Sequence, residues 1–376
     1  MISKFFSRRY KIMEIIKMVI TGGPCAGKST AMSRIQNTLA NMGYKALFIG
    51  ETASELITGG VAPWTCGTNA QYQSFQMKLQ IEKEKIFEQA ALTMNSDKVL
   101  IICDRGVMDN KAYMKKDEFE HVLKEINANE VELRDGYDAV FHLVTAAKGA
   151  EQFYTTINNT ARTETPEQAI LLDDKIISAW TGHPHFRVID NSYDFETKIR
   201  KLITEILGFL GEPEPLEIER KYLIEYPDTT MLENMDNCEK VEIIQTYLHS
   251  PEQNQQIRLR QRGIDGHYVY FQTIKKDITP IKRIEIENRL TKDEYLKLLM
   301  SADTSKRQIR KNRYCLTYKN QYFEIDVFPF WNDKALMEIE LSDENSPIIF
   351  PDFIKIIREV TTESEYKNSS LAQNLV

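Results

Sequence analysis

The chain of 376 residues contains no apolar run near the roughly 20 residues that a bilayer-spanning helix needs. Its five cysteines are scattered without CxxC spacing, which argues against both a zinc site and a disulfide framework. Long repeats and low-complexity tracts are also lacking. The remaining composition, 42% hydrophobic and 27% charged, is that of a globular protein, and the cysteine usage predicts a reducing, cytoplasmic location.

The chain also has fewer basic than acidic residues, and its formal net charge is −7. This balance argues against non-specific binding of nucleic acid over the whole surface, so we expect no nucleic-acid partner. An N-terminal extension, residues 1–14, differs from the rest because its first twelve residues are basic and aromatic without an acid. The extension is either a frayed end or a contact to a membrane surface or phosphoinositide. No feature of the sequence predicts an oligomeric state.

The first large segment, residues 15–210, alternates apolar strands with helical stretches. Strands separated by helices predict an α/β domain with a parallel sheet covered on both faces. A helix is predicted at Glu82–Ala91 and another at Leu202–Leu210. The predicted strands are Ile15–Thr21, Lys45–Gly50, Lys98–Cys103 and Ala139–Val144.

The pattern changes at residues 211–215, Gly-Glu-Pro-Glu-Pro, which we interpret as a linker. Residues 216–363 then alternate with period two, which predicts antiparallel strands. Covering helices are expected at Thr291–Met300 and Phe350–Val360. The polar residues 364–376 are expected to form a loose tail.

A glycine-rich loop follows the first predicted strand and fits the pattern GxxxxGK[ST]. Backbone N–H groups in such a loop, together with the following helix N-terminus, bind phosphate oxygens of ATP or GTP. Lys28 is expected to contact the β- and γ-phosphates, and the Ser29 hydroxyl to bind Mg²⁺. The predicted nucleotide-binding residues are Gly22, Gly23, Pro24, Cys25, Ala26, Gly27, Lys28, Ser29 and Thr30.

Three further residues are catalytic candidates, each with a structural alternative. Asp104 ends the third strand, where it is either the second Mg²⁺-holding carboxylate or a helix N-cap. Glu51 follows the second strand, where it either positions or deprotonates an acceptor hydroxyl or is a solvated turn acid. Arg162 is either a lid arginine that neutralises the transferred phosphoryl group or part of a surface salt bridge. His183 and His185 fit neutral turn histidines better than a metal pair.

Residues from about 15 to 208 resemble a P-loop ATPase domain of the AAA type, close to small nucleoside and nicotinamide-riboside kinases. The similar segments are GGPCAGKST, ETASELI, DRGVMDN, and the stretch from HLVTAAKGAEQFY through NNTARTE to AWTGHPHFRVIDN. The resemblance implies phosphoryl transfer or hydrolysis with Mg²⁺, or with Mn²⁺, and does not identify the acceptor.

The second domain alternates charged with apolar residues on strand after strand. Acid-only and base-rich strands occur in blocks, whereas an ordinary solvated face mixes residue types. Closing such a sheet into a barrel places the charges in the lumen and the apolar face under helices. Basic side chains in that lumen suit a polyanion such as a triphosphate, and the carboxylates suit divalent cations. The alternating charged pairs are Glu217/Glu219, Arg258/Arg260, Glu285/Glu287, Lys311/Arg313, Glu324/Asp326 and Glu338/Glu340.

The order of these motifs resembles the CYTH family, the triphosphate tunnel metalloenzymes, over residues 215 to about 360. The ExExK motif is present as Glu217, Glu219 and Lys221, and Lys221 is also a catalytic candidate. The resemblance implies triphosphate binding by Lys221, Arg258, Arg260, Lys275, Arg283, Lys311 and Arg313. It implies metal binding by Glu217, Glu219, Asp326, Glu338 and Glu340, beside Ser29 and Asp104 in the first domain.

These features predict a bifunctional enzyme: a nucleotide-binding first domain and a triphosphatase acting on tripolyphosphate, thiamine triphosphate or a nucleoside triphosphate. The two-domain order also resembles the TRPL translocation defect protein family of photoreceptors, which is linked to GTP and phosphoinositide binding. That resemblance keeps a non-catalytic adaptor as an alternative. Adenylate cyclase activity of the same tunnel is the other.

Overall fold

The computed structural model describes residues 14–154, 165–212, 216–250, 255–277, 282–341 and 344–374. Within these ranges it leaves nine side chains undescribed: those of Phe153, Leu216, Glu217, Lys276, Asp277, Lys282, Arg283, Ile284 and Asn374. Among the described residues, no helix is long and apolar enough to cross a bilayer. Residues 1–13, Arg162 and linker residues 213–215 lie outside the described part.

The first part of the chain alternates strands and helices as predicted. Its strands are β1 (Glu14–Gly22), β2 (Lys45–Ile49), β3 (Lys98–Asp104), β4 (Ala139–Leu143) and β5 (Phe186–Ile189). Its helices are α1 (Lys28–Asn41), α2 (Thr52–Thr58), α3 (Asn69–Leu92), α4 (Lys116–Glu125), α5 (Glu130–Arg134), α6 (Pro166–Trp180) and α7 (Phe195–Phe209). Short 3₁₀ helices cover Val107–Tyr113 and Glu151–Phe153.

The strands of this part form a five-stranded sheet in the order β2-β3-β1-β4-β5. The pairs β1–β3, β1–β4 and β2–β3 are parallel. Val99 to Cys103 are fully buried, because a central parallel strand packs helices on both faces. The predicted α/β domain with a parallel sheet is therefore confirmed. The carboxyl ends of β1, β2 and β3 bring Gly22, Glu51 and Asp104 to one edge of the sheet.

The second part of the chain is built mainly of long antiparallel strands. Its strands are β6 (Leu216–Glu225), β7 (Cys238–Leu248), β8 (Gln255–Ile264), β9 (His267–Asp277), β10 (Lys282–Leu290), β11 (Ile309–Tyr318), β12 (Gln321–Val327), β13 (Lys334–Leu341) and β14 (Ile356–Glu359). Its helices are α8 (Thr229–Glu233), α9 (Lys292–Leu299) and α10 (Asn368–Asn374), with a 3₁₀ turn at Ser364–Tyr366.

These nine strands form one sheet in the order β10-β9-β8-β7-β11-β12-β13-β6-β14. In addition, β10 pairs with β6 over three residue pairs, Lys282 with Ile218, Arg283 with Glu217 and Ile284 with Leu216. This pairing is the one expected of a barrel, since it links the first strand of the order to the eighth. The antiparallel sheet is confirmed, and α9 packs on it through Tyr295, which is buried against Leu248 and Leu259.

The predicted helix at Phe350–Val360 is wrong. Residues 356–359 form β14, which pairs with β6 opposite Tyr222 to Ile224. Pro351 lacks a backbone N–H, and the edge of β6 offers unpaired backbone groups that an extended segment satisfies better than a helix does. The tail also differs from its prediction, because α10 buries Leu371 and Ala372 in a cluster with Leu223.

The chain divides into two compact units. The first unit contains residues 1–179 and 190–199, and the second contains residues 180–189 and 200–376. The second unit therefore includes β5 and the turn before it, which precede the predicted linker in the sequence. Both units are described separately below.

Candidate functional site

The phosphate loop of the first unit occupies the turn between β1 and α1. Cys25 and Gly27 adopt positive φ angles of 57° and 89° there. Gly27 is the N-cap of α1 and has no side chain to cap the helix. The first N–H groups of α1 are therefore available to an anion, and the helix dipole favours negative charge at this point.

The three glycines of this loop have no room for a side chain, and at Gly23 a Cβ would come within 2.6 Å of Asp173. A Cβ at Gly27 would come within 2.5 Å of the Phe195 ring, in addition to the strain of its positive φ. A Cβ at Gly22 would collide with the carbonyl oxygen of Leu143. Phe195 and Leu143 thus pack closely against the loop, and this packing fixes the direction of its backbone N–H groups.

Asp173 on α6 supports the loop and was missed from the sequence. It is fully buried and accepts hydrogen bonds from the backbone N of Gly23 at 2.9 Å and of Thr145 at 3.1 Å. His142 Nε2 and Lys148 Nζ each lie 3.0 Å from its carboxylate. Burial alone would raise the pKa of Asp173, but His142 and Lys148 outweigh burial and hold that pKa below its usual range. The ionised carboxylate therefore anchors the start of the phosphate loop.

Lys198 on α7 supports the same loop from the other end. It is buried and donates to the carbonyl oxygens of Val144 at 2.6 Å and Ala26 at 3.3 Å, and to Asn191 Oδ1 at 2.7 Å. Burial lowers the pKa of Lys198 to about 8, against the opposing charge of Asp173. No sequence pattern marks this residue, because the two carbonyl groups that it contacts, those of Val144 and Ala26, lie far away in the chain.

Glu51 and Arg105 form an ion pair beside the loop, with Arg105 Nε 2.5 Å from Glu51 Oε1. The Ser54 hydroxyl donates to the other carboxylate oxygen at 2.6 Å. Burial acts to raise the pKa of Glu51, but Arg105 and Lys28 outweigh it and lower the pKa to about 2. An acid with so low a pKa is a weak base, which favours positioning over deprotonation for Glu51. Glu51 is not a simple solvated turn acid, since its side chain is 28% exposed.

Asp104 lies at the end of β3, and its Oδ1 is buried with no hydrogen-bond partner among the described residues. Burial raises the pKa of Asp104, and Lys28 partly offsets that rise. The N-cap of the following 3₁₀ helix is Gly106, so Asp104 does not cap it. A buried carboxylate oxygen without a partner, next to a phosphate loop, has the chemistry that Mg²⁺ requires. Its role as a metal ligand remains a prediction.

Lys28 belongs to the same charged group, because its pKa is lowered by burial and then by Arg105, while Glu51 and Asp104 oppose the shift. Asp109, which the sequence analysis missed, accepts from the Thr21 hydroxyl and from Gly106 N at 2.8 Å. It also lies 3.8 Å from Arg105 Nη1, so it fixes the orientation of this arginine. The roles assigned to Ser29 and the rest of the loop stay predictions.

In the second unit, most of the predicted lumen residues line one cavity. On its acidic side, the strand register places Glu219 opposite Glu340, and Glu338 opposite both Lys221 and Glu324. Like charges directly opposite each other are destabilising unless a cation lies between them. The charged lining consists of Glu219, Lys221, Arg258, Arg260, Lys275, Glu285, Lys311, Arg313, Glu324, Glu338, Glu340 and Lys367.

The basic side of the cavity lies on β8 and β9, where each cation pairs with an acid of β10. Arg258 Nη2 is 3.4 Å from Glu285 Oε1, and Lys275 also pairs with Glu285. Arg260 pairs with Glu287, which in addition accepts from the Thr273 hydroxyl at 2.9 Å. The undescribed side chains of Glu217 and Arg283 leave their assignments as predictions, although their backbones pair directly.

Asp326 lies behind this lining and is fully buried. It holds Arg313 in a bidentate pair, Nε to Oδ1 and Nη2 to Oδ2, both at 2.7 Å, and it also pairs with Lys311. Arg313 Nη2 reaches Glu338 Oε2 at 2.8 Å as well. The structure thus places Asp326 as an anchor for two cavity cations, and Glu324 on the lining itself. Metal binding by Asp326 remains a prediction.

The carboxylates of the cavity have the donor chemistry for a divalent cation. The strand register supports this, because it places acidic residues directly opposite one another. In the described part of the chain, no three His, Cys, Asp or Glu side chains are gathered as a ligand set. The acids pair with cations instead, since Lys221 Nζ lies 2.7 Å from Glu338 Oε1 and 3.4 Å from Glu219 Oε1. The lining also includes Pro184, His185, Ile243, Gln245, Tyr247, Gln256, Lys367, Asn368 and Ser369, none of which was among the predicted site residues.

Comparison with protein families gives two matches, an AAA domain over residues 17–198 and a CYTH domain over residues 215–374. No curated protein matches the chain. Among solved structures, the inorganic triphosphatase NE1496 is similar at 30% identity, over 42% of this chain and 95% of that chain, with a TM-score of 0.29. The PH1819 protein from Pyrococcus horikoshii OT3 is similar at 19% identity, over 34% of this chain and 80% of that chain, with a TM-score of 0.27. The chain therefore consists of an AAA domain followed by a CYTH domain, and its second part belongs to the CYTH family.

Proposed function

We propose that the second unit is a metal-dependent triphosphatase, which hydrolyses a linear triphosphate bound in its cavity. The observation that carries the proposal is the lining of this cavity, where seven lysines and arginines accompany five glutamates. The CYTH domain supports the same reaction class. Tripolyphosphate, thiamine triphosphate and nucleoside triphosphates are the substrates to compare.

The basic side chains suit a triphosphate because arginine donates two parallel hydrogen bonds to a phosphate, and lysine adds a compact charge. Arg258 and Lys275 both pair with Glu285, which holds the two cations next to each other at this wall. Arg313 is held rigidly by Asp326, Glu324 and Glu338, and its guanidinium lines the cavity. A bound polyanion gains from both features, since its phosphates meet preorganised donors.

The acidic side suits a divalent cation, and Glu219, Glu338 and Glu340, with Glu217 two residues before Glu219, would hold Mg²⁺ or Mn²⁺. A cation bound there would neutralise phosphate charge and lower the pKa of a coordinated water. Lys221 stands between Glu219 and Glu338, so it holds these two carboxylates in register and presents N–H donors to the phosphate nearest to them.

We further propose that the first unit binds ATP or GTP with Mg²⁺ at residues 22–30, and transfers or hydrolyses the γ-phosphoryl group. The uncapped N-terminus of α1, the nearby Lys28 and the unpartnered oxygen of Asp104 support this proposal. Glu51, held by Arg105, is positioned to orient an acceptor. The five cysteines are free thiols, which supports a cytoplasmic location.

The test is a substrate panel with Mg²⁺ or Mn²⁺, run on matched variants of the full chain. Lys311→Met removes a buried cavity cation, whereas Arg310→Met removes the exposed cation next to it on β11. We expect Lys311→Met to lower kcat/KM for tripolyphosphate by about tenfold or more, and Arg310→Met to change it less than twofold. Lys28→Ala should abolish nucleotide binding in the first unit and leave tripolyphosphate hydrolysis intact.

Absence of phosphate release from every triphosphate, with either metal, would refute the triphosphatase. Tight binding of GTP or a phosphoinositide without turnover would instead indicate the adaptor. Formation of cyclic AMP and pyrophosphate from ATP would indicate a cyclase in the same cavity.

A further inference from the structure

One part of the cavity wall comes from outside the CYTH domain. Pro184 and His185 line the cavity of the second unit, although they precede the linker and fall within the AAA match at residues 17–198. Residues 180–189 nevertheless belong to the compact second unit. The CYTH match, which begins at residue 215, therefore does not contain the whole lining.

His185 is held firmly in this wall. Its ring packs edge-on against Phe209, with the centroids 5.2 Å apart and the planes at 65°. Its backbone N donates to His183 Nδ1 at 3.0 Å, and His183 is fully buried. The side chain of His185 remains 27% exposed, so the imidazole is fixed in direction but still accessible.

The charged partner of His185 is Glu287, with Nε2 at 3.6 Å from Oε1, which is longer than a hydrogen bond. The same carboxylate pairs with Arg260, one of the cavity cations. Burial acts to lower the pKa of His185, but Glu287 outweighs burial and raises it. Glu287 thus contacts both the imidazole of His185 and the guanidinium of Arg260, and these two side chains line the cavity.

We propose that His185 binds an oxygen of the substrate's phosphate chain, next to Arg260, and so completes the triphosphate site from the AAA part of the sequence. The inference rests on the proposed triphosphatase. The Nε2–Oε1 distance of 3.6 Å makes the pair with Glu287 a loose one, and a protonated imidazole has two N–H donors, so one of them can serve an anionic ligand. A phosphate placed on the cavity side of His185 and Arg260 receives donors from both residues.

The experiment compares His185→Ala and His185→Phe in the full chain, with tripolyphosphate and Mg²⁺ or Mn²⁺. His185→Phe keeps a ring against Phe209 and removes the donor. Both variants should raise KM about tenfold and change kcat less than twofold, since a hydrogen bond to a charged group is worth that factor or more. Added imidazole should lower the KM of His185→Ala alone. His249→Ala, at a histidine whose side chain is 71% exposed, is the matched control.

A KM unchanged in both variants, or restored by phenylalanine, would overturn the inference, because the ring would then only pack. Failure of the proposed function gives a different result. In that case the wild type releases no phosphate, and tripolyphosphate binding measured by calorimetry does not respond to Arg258→Ala. If Arg258→Ala raises KM and the His185 variants do not, the triphosphatase stands and the role of His185 alone is refuted.

Discussion

Lys198 offers a sharp test, because it is a buried lysine whose contacts are mostly uncharged oxygens. Burial lowers its pKa from 10.5 to about 8. Below pH 8 the protonated Lys198 therefore destabilises the folded protein, whereas the same lysine is protonated in the unfolded chain without this cost. Between pH 8 and 10.5 the unfolded state binds more protons, so the stability that Lys198 contributes rises with pH across this window. At 1.36 kcal/mol for each pKa unit, the rise amounts to about 3 kcal/mol.

The measurement is the free energy of unfolding in urea at pH 7 and pH 10.5, for the wild type and Lys198→Met. The wild type should gain about 3 kcal/mol relative to the variant over this range. Lys175→Met, at an exposed lysine on α6, is the control and should track the wild type at both pH values. Parallel pH profiles for wild type and Lys198→Met would refute the reasoning, since Lys198 would then keep an ordinary pKa in the fold.

The remaining predictions concern backbone strain and a buried ion pair. Gly27→Ala should weaken nucleotide binding and cost about 2–4 kcal/mol of stability, because a Cβ there meets Phe195 in addition to the positive φ. Gly43→Ala has a similar φ of 81° with open space around it, so thermal unfolding should show a loss of only about 1–2 kcal/mol, and equal losses would contradict the role of the Phe195 contact. Asp326→Asn should cost about 3–5 kcal/mol, since it leaves the buried cations Lys311 and Arg313 without their carboxylate. A loss under 1 kcal/mol in urea unfolding would show that Glu324 and Glu338 hold Arg313 without it.

The sequence predicts features that are local or periodic. The apolar strand β1, the glycine loop and helix α1 adjoin one another, so their pattern alone places the phosphate loop. Alternation with period two places Lys311 and Arg313 on one face of β11, and the structure brings both to the cavity.

The rest depends on contacts between distant residues. Asp173 lies 150 positions from Gly23, and Lys198 lies 172 positions from Ala26, so no motif joins either pair. His185 lies in a turn, as predicted, but its place in the cavity wall could not be predicted, because its partner Glu287 follows the linker. The segment at Phe350–Val360 was misread for a related reason. Its apolar residues are compatible with either a helix or a strand, and the free edge of β6 decides between them.

The pairing of acids with bases inside the cavity has a consequence for how its ligands enter. An anion that binds alone draws Arg258 and Lys275 away from Glu285. A metal ion that binds alone draws the Glu338 carboxylate away from Lys221. For the proposed triphosphatase we therefore expect each ligand to bind more weakly in the absence of the other, so that the cavity responds to metal and polyphosphate together. By linkage the enhancement is reciprocal, so the factor by which Mg²⁺ tightens triphosphate binding must equal the factor by which triphosphate tightens Mg²⁺ binding.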